Sequence, residues 1–193
     1  FGESSNSTNE KGLYMGMVAT PLSKITLSAY ADFFRYDWLR YSVDAPSSGQ
    51  EYSVQLVYNI SRRGDLVLGY RQLVNPMNYS LNDEKMNQLG DSKRDYYRLQ
   101  FNYQALSWLK LQSRVEITSR NAPDKDLETG YLIYQGFQLK PVNKDLSVSF
   151  RYLLFDTDSY DTRLYAFEQD VPFSFSVPAF SGKGSRFYLM FSS

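Results

Sequence analysis

Apolar and polar side chains alternate strictly between residues 94 and 120. Tyr97, Leu99, Phe101 and Tyr103 fall on every second position, with Arg98, Gln100 and Asn102 between them. After a short connection over 105–108, Leu109, Leu111, Val115 and Ile117 occupy one face and Lys110, Gln112, Arg114, Glu116 and Thr118 the other. Successive strand side chains point to opposite faces of a sheet, so this pattern predicts a β-hairpin with one apolar and one polar face. In water the apolar face needs a covering layer.

The remainder of the chain repeats the hairpin and supplies no such layer. Strands are predicted over 13–20, 25–33, 52–60, 66–70, 131–139, 146–154 and 164–176, the last irregular and interrupted by Pro172, with a tenth opening at Phe187. Strands of about ten residues match a tilted bilayer crossing, whereas soluble strands average about five or six. Short connections near residues 22, 63, 106 and 143 alternate with longer ones over 36–49, 73–93, 121–129 and 156–162. Short turns on one side and long loops on the other are the asymmetry of an outer-membrane barrel. No window of helical period appears, and no run approaches the ~18 apolar residues of a transmembrane helix. A soluble sandwich or lipocalin-like barrel would bury its apolar faces inside, but it fits neither the strand lengths nor the loop asymmetry. Aromatic residues at strand ends (Tyr14, Tyr36, Trp38, Tyr70, Tyr97, Trp108, Tyr131, Tyr152) suit interfacial girdles. The expected fold is all-β: one antiparallel up-and-down transmembrane barrel over residues 1–193, about ten strands visible, part of a slightly larger barrel in the cell outer membrane.

Composition agrees with a barrel. Mean hydropathy is −0.46, as expected where apolar residues come only every second position. Twenty-one basic residues balance twenty-one acidic ones, so no nucleic-acid partner is indicated. Seventeen Tyr and thirteen Phe make the chain strongly aromatic. It has no Cys, hence no disulfide framework or thiolate site, and no His, the commonest general base and metal ligand. The chain starts at Phe1 without a signal peptide, and its last alternation breaks off, so a longer parent chain is expected.

Several stretches together resemble a known family. They are Phe1-Gly-Glu-Ser-Ser, Asn9-Glu-Lys-Gly12, Asp32-Phe-Phe-Arg35 leading into Trp38-Leu-Arg-Tyr41, Val43-Asp-Ala-Pro-Ser-Ser-Gly49, Gly130-Tyr-Leu-Ile-Tyr-Gln135, Leu154-Phe-Asp-Thr-Asp-Ser-Tyr160 and Arg163-Leu-Tyr-Ala-Phe167. Across nearly its whole length the chain resembles the barrel part of Bacteroidetes-type outer-membrane proteins known as helix-hairpin-helix domain proteins, after repeats upstream of the barrel. The resemblance implies fold and location. It carries no activity onto these residues, because the upstream repeats are not part of this sequence.

Alternation places Asp32, Arg71, Arg98, Lys110, Arg114, Glu116, Arg151 and Glu168 inside the barrel, together with the bulky Tyr30, Leu132 and Tyr134. Such residues either form a paired network that fills a small lumen or select a solute, with a bias toward anions because five of the eight are basic. The paired network is the expected role. Asp156, Asp158 and Asp161 with Ser159 offer oxygen ligands for Ca²⁺ but lack the Gly and distal Glu of an EF-hand loop, so a solvated loop is expected. Gly182-Lys-Gly-Ser185 lacks the upstream Gly of a phosphate loop and is expected to be a turn. The Asn6, Asn59 and Asn78 sequons have no force in an outer membrane. The barrel proteases, acyltransferases and phospholipases resemble one another in needing a histidine, and Asp124, Asp126 and Glu128 sit in a polar loop without the apolar pocket that would raise a pKa. The chain is therefore expected not to be an enzyme and to need no cofactor or metal. The leading expectation is a scaffold or subunit of an envelope assembly, contacting partners through loops 36–49 and 73–93. The alternatives are a small-solute channel and a surface receptor. Expected partners are the lipid bilayer, lipopolysaccharide and other outer-membrane or periplasmic proteins.

Overall fold

The computed structural model describes residues 9–80, 87–123, 125–141, 146–168 and 177–192. Period-2 segments become strands wherever a short polar turn lets neighbours pair. These are β1 (Glu10–Leu22), β2 (Ile25–Tyr36), β3 (Ser47–Ser61), β4 (Gly64–Tyr79), β5 (Gln88–Leu106), β6 (Leu109–Ala122), β7 (Lys125–Leu139) and β8 (Ser147–Thr157). A two-residue pair, β9 (Leu164–Tyr165) with β10 (Ala179–Phe180), lies in the connection after β8, and β11 (Lys183–Ser192) returns to pair with β8. The result is one nine-stranded antiparallel sheet in the order β1 to β8 then β11, each strand beside its neighbour in sequence apart from that last connection. The sheet is not closed: β1 and β11 are its two edges. Among the described residues no helix is long and apolar enough to cross a membrane, and the helical element is a single 3-10 turn, Tyr160–Thr162.

Register sorts the side chains onto two faces. Tyr97, Leu99, Phe101 and Tyr103 of β5 stand across from Ile117, Val115, Ser113 and Leu111 of β6, which face Tyr131, Ile133, Gln135 and Phe137 of β7. On β4, Tyr70, Leu68 and Leu66 extend the same rows. These residues are exposed or half-buried and form an apolar band about nine residues deep along β6, the reach of a tilted bilayer crossing. Within the band, Ser113 Oγ donates to Gln135 Oε1, and Gln135 Nε2 donates to the Gly136 carbonyl at 3.2 Å. The polar pair thus satisfies itself, as hydrocarbon requires.

The opposite face is polar at most positions and is covered in part by the connection after β8. Leu164 and Ala166 of that connection and Phe180 of β10 pack on Leu132, Tyr134 and Leu153 of the sheet. Fully burying a Leu or Phe contributes about 2 kcal/mol. The connection is therefore held on the sheet by apolar contact.

Three sequence expectations are corrected. The ninth crossing strand over 164–176 does not form as one: only Leu164–Tyr165 is strand, its apolar side chains cover the sheet instead of continuing the band, and 169–176 lie outside the described residues. The loop over 73–93 is mostly a projecting ribbon, because β4 and β5 stay paired from Gly64↔Tyr103 out to Tyr79↔Gln88. The loop over 121–129 is likewise a hairpin, paired to Ala122↔Lys125. Beyond the band the strict alternation breaks, with Leu73, Val74, Pro76 and Met77 falling on both faces of β4, while backbone pairing continues.

Candidate functional site

The covered face carries a lattice of charge built by neighbouring strands. Arg71 on β4 donates from Nε and Nη2 to Glu51 on β3, both at 2.8 Å, and Tyr30 on β2 donates to the same carboxylate. On β5, Arg98 forks onto Glu116 of β6 at 2.9 and 3.2 Å. Arg114 donates to Gln100 at 2.8 Å and lies 3.8 Å from the Glu116 already held by Arg98. Arg186 of β11 donates to Glu168 of the connection at 2.7 Å. Bidentate Arg–carboxylate pairs are strong and fixed in direction, so these side chains are set by the register of the sheet.

Arg151 on β8 differs. Its Nη1 donates to the Phe167 carbonyl of the connection, and its Nη2 to Gln112 at 3.3 Å. Its guanidinium lies over the Tyr134 ring at 4.2 Å, and Arg114 lies over the same ring at 5.1 Å. Among the described residues no carboxylate lies within ion-pair distance of Arg151 or Lys110. Beside Arg151 is a hollow of about 210 Å³ bordered by Lys110, Gln138, Ser149 and Tyr188, with Phe167 above it. On the other flank of the connection a second hollow of about 230 Å³ is bordered by Arg71, Tyr96, Arg98, Glu116, Leu164 and Tyr165, where the charges are paired.

Above the band the ribbon tips clamp the connection. Arg120 on β6, 5% exposed, donates to Ser92 at 3.0 Å and Glu128 at 2.9 Å, and pairs with Asp161 at 3.1 Å. Arg94 reaches the same Asp161 at 3.3 Å. Asp158 accepts from Thr129 N at 2.6 Å and Thr129 Oγ1 at 3.0 Å, and the backbone donor foremost holds its carboxyl below the usual range. Ser159 caps the 3-10 turn with a capping box. Gly130 lets that turn approach: a Cβ there would stand 2.7 Å from the Thr162 carbonyl and 2.9 Å from Thr157 Cγ2.

The structure thus brings Arg71, Arg98, Lys110, Arg114, Glu116 and Arg151 onto one face, as alternation placed them. Glu168 joins them from the connection, not from a strand of the main sheet. Asp32 is on this face opposite Glu51, with no ion pair among the described residues. Among the aromatics, Tyr70, Tyr97, Tyr131 and Tyr152 face outward. Tyr70 and Tyr97 rings meet at 5.2 Å, with the Tyr70 hydroxyl donating to Asp95 at 2.7 Å. Trp38 is exposed in the connection over 37–46, and Trp108 sits in the turn between β5 and β6. Two girdle assignments are corrected: Tyr14 stacks on Tyr30 at 5.4 Å on the other face, and Tyr36 is buried with its hydroxyl donating to Glu10 at 3.1 Å. A strand end holds both parities, and these two residues have the inward one. Sequence reasoning missed Glu51, Arg120 and Arg186, although Arg120 shares the parity of Arg114 and Glu116 on β6 and Glu51 alternates with the outward Tyr52 and Val54 on β3.

The carboxylates considered for Ca²⁺ are drawn apart, Asp156 to Lys183, Asp158 to Thr129 and Asp161 to Arg94 and Arg120. Among the described residues no group of three or more acidic side chains is arranged to hold a metal. Gly182 forms a turn at φ +77°, but the next residue already begins β11. Asn6 and Asp124 lie outside the described residues.

A banded outer face, a polar inner face and up-and-down connectivity define the wall of an outer-membrane-type β-barrel. Among solved structures the chain is similar to the outer-membrane expressed OmpT of Vibrio cholerae, with a TM-score of 0.60 and 13% identity over 94% of this chain and 55% of that one. The chain therefore spans about half the length of the structure it matches. No protein-family model and no curated protein matches it. The likeness to OmpT overturns the expectation that the chain is not an enzyme. That exclusion rested on the missing histidine and on the polar setting of Asp124, Asp126 and Glu128, and neither absence excludes a reaction. At 13% identity the likeness shows the fold and assigns no reaction.

Proposed function

We propose that the protein is an outer-membrane channel for small solutes, whose lumen is narrowed by the connection after β8. The observation that carries this is the seating of that connection. Leu164, Ala166 and Phe180 anchor it to the inner face of the sheet, and open hollows lined by charged groups remain on both flanks. A face packed for rigidity alone would leave no such hollows. The scaffold role drew on broad loops, and pairing of β4 with β5 out to Tyr79↔Gln88 converts most of the largest one into ribbon. The outer band supports contact with the bilayer and with lipopolysaccharide, and the Bacteroidetes-type resemblance fits the same location.

Planar-bilayer recording of the full-length protein tests the proposal. Discrete conductance steps are expected. They should grow when Leu164→Asp with Ala166→Asp releases the connection, since a carboxylate among Leu132 and Leu153 is costly to bury. Silence from a correctly folded barrel, in the wild type and in that variant, would overturn the channel and favour a scaffold or receptor acting through its outer loops.

A further inference from the structure

We propose that the hollow beside Arg151 is a binding site for a small oxyanion, a phosphate or a carboxylate, held by Arg151 and Lys110. This deepens the channel proposal, since the site would lie on the solute's path. Four observations converge on it.

First, among the described residues, charge is unbalanced on this part of the inner wall. Arg71, Arg98 and Arg186 each fork or point onto a carboxylate at 2.7–2.9 Å. Arg151 and Lys110 have none within 4.0 Å among the described residues, and the neighbouring Arg114 has only a distant share, at 3.8 Å, of a carboxylate that Arg98 already holds. Buried charges are ordinarily paired. A buried guanidinium without a counter-charge therefore points to an anion supplied from outside.

Second, Arg151 is preorganised and incompletely used. It is 7% exposed, oriented by the Phe167 carbonyl and Gln112, and stacked over Tyr134, yet its buried Nε has no hydrogen-bond partner. Arginine presents five N–H donors in a planar fork, so donors remain for an oxyanion.

Third, the surroundings supply what a desolvated anion needs. Ser149 and Gln138 border the hollow with a hydroxyl and an amide, and the exposed Lys110 brings an ammonium to it. Fourth, the volume is about 210 Å³, room for phosphate or a short carboxylate together with some of its water. The lipid-facing band is on the other side of the sheet, so the anion source is solution rather than a lipid headgroup.

The test uses inorganic phosphate as probe on the full-length protein, in two independent readouts. Calorimetry on the detergent-folded protein measures binding, and bilayer recording measures block of chloride current. Saturable phosphate binding is expected, weakened about tenfold or more in Lys110→Gln and in Arg151→Lys, the loss of one charge-assisted contact or of the fork. Lys110 is exposed and without an ion-pair partner among the described residues, so its variant keeps the fold if the Arg151 variant does not. Acetate should compete, since the recognised chemistry is the oxyanion. Absence of saturable binding, or equal affinity in wild type and Lys110→Gln, would overturn the site even where conductance steps are present. Conversely, binding that falls in the variants while the bilayer stays silent would keep the site and discard the channel.

Discussion

Arg120 is the residue on which the upper wall depends most. It is 5% exposed, and its guanidinium joins Ser92 of β5, Glu128 of β7 and Asp161 of the connection. Removing one partner of a buried charge network strands the others, which typically costs about 3 kcal/mol or more. Arg120→Ala should therefore lower the urea midpoint of the folded protein strongly. Lys11→Ala should not, although it too breaks an ion pair, because the Lys11 side chain is 77% exposed beside Asp37 and solvent screens it. Equal, small effects of both substitutions would show that the Arg120 network holds nothing together. The sequence signals this role only partly. Arg120 extends the inward parity of Arg114, Glu116 and Thr118, but its importance comes from Asp161, forty-one positions away and brought close only by the return of the connection. Tyr14 and Tyr36 show the same limit from the other side: an aromatic at a strand end reads as a girdle residue until parity along that strand is followed.

At the scale of elements, pattern and structure agree where one face meets hydrocarbon and diverge elsewhere. The hairpin of β5 and β6 was legible because its outward positions had to be apolar and its inward ones polar. The ribbon from Leu73 to Lys93 was not, since above the band apolar and polar side chains no longer alternate, Pro76 interrupts the pattern, and backbone pairing defines the strand. The segment after residue 164 misled for a different reason: Leu164 and Ala166 are apolar at alternate positions, as in a crossing strand, yet they pack inward on Leu132 and Leu153. Gly130 leaves room for that seating, since the Thr162 carbonyl passes so closely that a Cβ would stand 2.7 Å from it. The Thr162 backbone carbonyl on one side and the Thr157 and Thr118 methyls on the other leave a Cβ no room, so Gly130→Ala should displace the connection. Gly69→Ala is the comparison, because its Cβ would meet Arg98 Cβ at an ordinary 3.5 Å. Limited proteolysis after Arg163, whose neighbours Thr162 and Leu164 are buried while the connection is seated, should accelerate in the first variant alone. Unchanged cleavage in Gly130→Ala would mean that the apolar anchors suffice without the close approach.

The whole molecule poses a question of edges. Along β2 to β8 every strand is paired on both sides, while β1 and β11 each have one free edge. On β1, Leu13, Met15 and Met17 are exposed on the banded face, and on β11 so are Phe187, Leu189 and Phe191, so the band runs out to both edges. In hydrocarbon an unpaired N–H or C=O costs several kcal/mol, and open sheet edges do not persist there. The same residues that place β1 and β11 in lipid thus require their backbones to be paired once they are in it. In proteoliposomes the amides of β1 and β11 should therefore exchange with deuterium about as slowly as those of β5, which is paired on both sides. In a detergent that loosens the assembly, these two strands should become the first of the nine to exchange. Fast exchange at both edges in an intact bilayer, with β5 still protected, would mean that the band faces something other than lipid, and the membrane placement of the sheet would fall with it.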